Sequence, residues 1–239
     1  TTEIYTLSLH DALPICGAIS AVATAVGTVC STIGGAIMKG VGELGAGLLQ
    51  LGKMARPVLD FINTISTIMG VKPVSEDPAE IGLKAHKCGE IPEDYYSVEE
   101  YIKHLRKDIE LDKEEVNKLS DKDKLMYTVI GSALYVKNME EKYDMEMPQS
   151  YWEKSYEAVE SGNMTAGEVK ETLDSMKKNG VKSAESFSNY MDGKANMEEQ
   201  MVIYDSLKEA MHKEFPDLSD ADLNTKVTNI KDFMQQNKK

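Results

Sequence analysis

The chain is predicted to be all-α: a Gly/Ala-rich hydrophobic helical segment followed by an acidic multi-helix bundle. Two observations carry that prediction. Apolar residues recur at steps of three and four through almost the whole sequence, with no competing two-residue alternation. Side chains suited to cap helix N-termini stand at the head of one apolar stripe after another.

Charge divides the sequence. Residues 16–71 hold three basic residues (Lys39, Lys53, Arg56) against two acidic ones (Glu43, Asp60), whereas 72–239 hold 24 basic and 36 acidic residues, within a chain of net charge −13. An acidic body repels phosphate backbones and anionic bilayer surfaces, so nucleic acid is excluded as its partner.

The hydrophobic segment, 16–71, carries two candidate helices. Cys16 to Met38 has no charged residue, about 34 Å as a helix and enough to span a bilayer core. Ile19, Val22, Val26, Val29, Ile33 and Ile37 make one stripe, and Ala23, Gly27, Ser31 and Gly35 make a small-residue ladder that allows close helix approach. With no Leu or Phe in it, its insertion into lipid is marginal. In the second candidate, Val41, Leu44, Leu48, Leu51, Ala55, Val58, Ile62, Ile65 and Met69 keep an a/d heptad seam, and Glu43, Lys53, Arg56 and Asp60 fall off it. The expected interaction residues are therefore Val41, Leu44, Leu48, Leu51, Val58, Ile62 and Ile65. Pro57 is expected to kink this helix, and Gly70 with Pro73 to stop it.

Residues 72–96 read as a connector with one short helix, begun by Asp77-Pro78-Ala79-Glu80 and ending near Lys87. Residues 97–239 read as the acidic helical domain. Ser97, Ser120, Thr165, Asn196 and Ser219 mark helix starts, each with Glu or Asp three residues on. Residues 183–191 are expected to add a short helix. Trp152 is expected in the core, Met197 and Met201 on a core stripe, and Met145 and Met147 exposed in a loop.

Residues 1–15, TTEIYTLSLHDALPI, resemble one translated reading frame of a sequencing-library adapter. That resemblance implies an artefact outside fold reasoning, a native sequence starting near Cys16, and a contig edge of microbial origin.

Chemistry-bearing motifs are sparse. His86, Cys88 and His104 hint at a metal site or a thiol dyad, yet no CxxC or HxxxH spacing supports them, and packing or surface roles are expected. An EF-hand beginning at Asp220 fails, since Lys231 occupies the twelfth position. No phosphate-binding loop, dinucleotide fingerprint or nucleophile elbow occurs after residue 15. The expectation is a non-enzymatic protein with no catalytic residue, cofactor or metal. It would associate through 16–71 with itself, a protein partner or a membrane, as a component of a phage, mobile element or secretion-type assembly. The alternatives are a membrane-inserted or channel-forming protein, and an enzyme with a site scattered over the bundle.

Overall fold

The computed structural model describes residues 55–236. The candidate span 16–38 and the seam residues Val41, Leu44, Leu48 and Leu51 lie outside the described residues. Within them the chain forms ten α-helices, one 3-10 turn and no strand. In order these are α1 (Ala55–Ile68), α2 (Pro78–Cys88), the 3-10 turn (Pro92–Asp94), α3 (Val98–Asp108), α4 (Lys113–Asn117), α5 (Asp121–Tyr143), α6 (Gln149–Glu160), α7 (Ala166–Lys178), α8 (Glu185–Met191), α9 (Met197–Glu214) and α10 (Asp220–Gln236). None of them is long and apolar enough to cross a membrane.

The helix starts follow from local capping. Asp77 accepts the Ala79 N–H with Pro78 in the first turn, Ser97 accepts from Glu100, and Ser120 from Asp123. Thr165 with Glu168 and Asn196 with Glu199 close reciprocal capping boxes, and Ser219 accepts the Asp222 N–H. Each cap satisfies donors that the first turn leaves without an intrahelical partner.

Helix α5 is the hub. It carries α1, α2 and α3 on its sides, while α6 to α10 continue the same core through α1. Its contact with α2 is the most intimate. A Cβ added at Gly82 would stand 2.0 Å from the Tyr127 carbonyl oxygen, and one at Gly131 would stand 2.0 Å from that of Pro78. The two backbones therefore touch, and only glycine permits it. The stretch expected as a connector supplies a core helix, with Ala79, Ile81, Leu83 and Ala85 buried.

Helix α1 is built in just as firmly. Val58, Ile62 and Ile65 are fully buried, and Leu59 and Phe61 are buried beside them, which widens the stripe beyond an a/d seam. That width fits a helix covered from several sides, here by α5, α6 and α7. Phe61 meets Trp152 and Tyr156 edge-on at 6.4 and 5.7 Å between ring centroids. Ser132 of α5 donates to Asn63 Oδ1 at 3.2 Å. Arg56 and Asp60 face solvent. The link from α1 to α2 is also fixed: Arg106 grips Glu76 at 2.7 and 2.8 Å and donates to the Val71 carbonyl, and Tyr135 donates to Glu76 Oε2 at 2.5 Å.

Two expectations about methionine are corrected. Met145 and Met147 are buried, not exposed. Their loop is pinned by Glu146 N–H to Lys182 O at 2.9 Å and Ala184 N–H to Glu146 O at 2.8 Å, and Trp152 donates to the Met147 carbonyl. Met197 and Met201, expected in the core, are 80% and 63% exposed, because the face that α9 buries runs through Ile203, Ser206, Leu207 and Ala210, and both methionines lie off it. Trp152 is buried as expected.

Candidate functional site

The residues expected to mediate interaction separate into two groups. Val41, Leu44, Leu48 and Leu51 fall outside the described residues. Val58, Ile62 and Ile65 are spent on the chain's own core, so within 55–236 their partner is intramolecular. Burying each such side chain contributes about 1.5–3 kcal/mol, which makes their release to another partner costly.

Polar chemistry gathers instead where α2 meets α3. Cys88 is the last residue of α2, and Gly89 follows in the left-handed conformation at φ 72°, which turns the chain back so that Glu90 lies beside the thiol. The 3-10 turn and the Ser97 cap then lead into α3, whose His104 faces the same corner. Cys88 Sγ lies 3.6 Å from His104 Nε2 and 3.6 Å from Glu90 Oε2, and His104 Nε2 lies 3.5 Å from Glu90 Oε2. On the other side of the ring, His104 Nδ1 lies 3.0 Å from Asp108 Oδ2, one helical turn on. A ring with its proton on Nδ1 donates to Asp108, which only accepts, and leaves the Nε2 lone pair towards the Cys88 thiol.

Tyr95 encloses the corner. Its hydroxyl donates to Glu90 Oε2, and its ring packs on Tyr101 at 5.1 Å and on His104 at 5.5 Å. Tyr101 anchors the turn by donating to the Glu90 carbonyl at 3.0 Å. The Tyr95 hydrogen bond holds the Glu90 carboxyl below its ordinary range, and the same bond pushes the Tyr95 hydroxyl up. Burial raises the Cys88 thiol, and the Glu90 charge beside it raises it further. Both effects disfavour the thiolate, the form that a nucleophilic cysteine needs.

Of the three residues singled out by sequence, the structure therefore joins Cys88 with His104 and sets His86 apart, its ring 5.8 Å from that of Tyr127. Glu90, Tyr95 and Asp108 complete the cluster and were missed. The available signals were the helix-ending Gly89 next to Cys88, and the four-residue step from His104 to Asp108 on one helix face. Cys88, Glu90 and His104 are the described residues able to offer three ligand atoms to one metal ion. The surface depression between α2, α3 and α4, lined by Glu80, Lys84, Lys107 and Glu110, is open and of mixed charge, without a convergent set of groups for acid–base work.

Compared with known protein families, curated proteins and solved structures, the chain matches none.

Proposed function

We propose that the protein is a non-enzymatic helical interaction protein. In this reading an acidic folded bundle carries a hydrophobic Gly/Ala-rich segment that associates with a second copy of itself. One observation carries it: the a/d register that α1 buries in the bundle at Val58, Ile62 and Ile65 continues in the sequence through Leu51, Leu48, Leu44 and Val41. The bundle thus grips one end of the seam, and the other end is the interaction element. The ladder of Ala23, Gly27, Ser31 and Gly35 adds a second surface suited to close helix packing. The acidic balance of 72–239 supports a body that stays in solvent and avoids nucleic acid.

The test compares the full chain with a version beginning at Ala55, by light scattering and by flotation with neutral lipid vesicles. The full chain is expected to form oligomers, and the shortened chain to be a folded helical monomer. Equal mass and equal vesicle partition for the two would overturn the reading. Flotation of the full chain alone, without self-association, would replace it with the membrane-inserted alternative.

A further inference from the structure

We propose that Cys88, Glu90 and His104 form a binding site for a single thiophilic divalent cation of the zinc type, with a fourth coordination position open to water.

The argument begins with geometry. With zinc about 2.3 Å from sulfur and about 2.0–2.2 Å from nitrogen and oxygen, tetrahedral ligand atoms stand about 3.3–3.6 Å apart. The three edges of the Cys88–Glu90–His104 triangle measure 3.6, 3.6 and 3.5 Å. The donors thus already occupy one face of a coordination tetrahedron. An ion can seat above that face with little rearrangement.

The donor chemistry agrees. A thiolate, an imidazole nitrogen and a carboxylate oxygen are a set for a borderline-soft ion, not for calcium or magnesium, which take oxygen alone. Binding displaces the thiol proton to solvent, and the thiolate and carboxylate together neutralise the divalent charge. Asp108 supplies the outer contact typical of metal-bound histidine: it accepts from His104 Nδ1 at 3.0 Å, fixing the tautomer and the ring angle. Tyr95 orients the Glu90 carboxylate through its hydroxyl and covers the imidazole with its ring.

Placement gives the site a consequence. Cys88 ends α2 and Glu90 stands in the loop just after it, whereas His104 lies in the middle of α3. The ion would clip the two helices together at the corner, with Glu90 the most exposed ligand, its side chain at 52% of full accessibility. Three protein ligands with one face towards solvent is the arrangement of zinc sites that keep an exchangeable position. The proposal stands apart from the assembly role of the hydrophobic segment, and either can fail without the other.

The experiment uses the full chain with Cys16→Ser and Cys30→Ser, which leaves Cys88 as its only thiol. Chelator-treated, reduced protein is titrated with Co2+ and then with Zn2+. One equivalent of Co2+ is expected to produce a thiolate charge-transfer band and the intense visible bands of four-coordinate cobalt, which one equivalent of Zn2+ abolishes. Cys88→Ser is expected to remove the charge-transfer band. His104→Ala is expected to weaken affinity at least tenfold. Asp108→Asn, acting through the histidine, is expected to weaken affinity about 10-fold yet keep the band at saturation. His86→Ala is expected to change nothing. Circular dichroism in chelator checks that each variant is folded, and Zn2+ is expected to raise the Tm of the starting protein but not of Cys88→Ser. Absence of the band, its survival in Cys88→Ser, or the weak spectrum of octahedral cobalt would overturn the site.

Discussion

The front of the described chain, α1 and α2, and the first turns of α9 near its back invert what their sequences suggest. Residues 55–88 read as the tail of a hydrophobic segment plus a connector, yet they lie at the centre of the fold. Val58, Ile62, Ile65 and Ala85 are fully buried, and α2 touches α5 backbone to backbone. Helix α9 begins with an apolar stripe of equal regularity and leaves Met197 and Met201 bare. Apolar spacing chooses which face of a helix turns inward. Where a helix carries more than one apolar row, as α9 does, neighbours distant in sequence decide which row is covered, here Ile203, Leu207 and Ala210 and not Met197 and Met201.

The comparison can be broken most forcefully at the α2–α5 crossing. Gly131→Ala places a methyl against the Pro78 carbonyl and is expected to cost about 4 kcal/mol, above the usual overpacking range, in denaturant unfolding. A cost below about 1 kcal/mol would mean that the two helices are not in backbone contact. Next in size, Ile62→Ala in α1 is expected to cost about 3 kcal/mol, as a core truncation in a site closed on several sides.

A smaller, pH-dependent effect belongs to the ion pairs within α7 and from α7 to α9. Lys170 and Lys213 hold the Glu171 carboxyl below its ordinary range. Burial alone would raise Asp174, but Lys170 and the Tyr143 hydroxyl bring it below its ordinary value as well. Groups depressed in the folded state contribute fully above the unfolded-state pKa of about 4 and lose that contribution as pH falls through the lower folded value. The Tm is therefore expected to fall by a few degrees below about pH 4, and Lys170→Met is expected to flatten that fall. Identical pH profiles for the two proteins would refute the assignment. Smallest of all, Met201→Ala is expected to change stability by less than about 0.5 kcal/mol, whereas a cost like that of Ile62→Ala would show the Met201 face of α9 to be covered after all.

These contrasts also mark where the sequence was legible. Helix starts at Asp77, Ser97, Ser120, Thr165, Asn196 and Ser219 could be read because a cap is a contact between near neighbours in the chain. Helix α4 escaped because Lys113–Asn117 is one short turn with no apolar stripe, capped by Asp112. The burial of Met145 and Met147 escaped because it hangs on the pairing of Glu146 with residues 182–184. The corner site was half legible: Cys88 and His104 attract notice by type, but their carboxylates are brought in by the reversal at Gly89 and by the pitch of α3. Gly82 and Gly131 gave no sign of meeting, since small residues announce a close approach only once the partner is known.

The central claim is that α1 is an integral part of the bundle, so that the hydrophobic segment is gripped by a folded body rather than tethered to one. Native-state hydrogen exchange on the full chain tests it most directly. Amides of Ile62–Ile65 are expected to open only with those of Val129–Val136 in α5, at the free energy of global unfolding. Exchange of the α1 amides through a separate, much cheaper opening while α5 stays protected would contradict it.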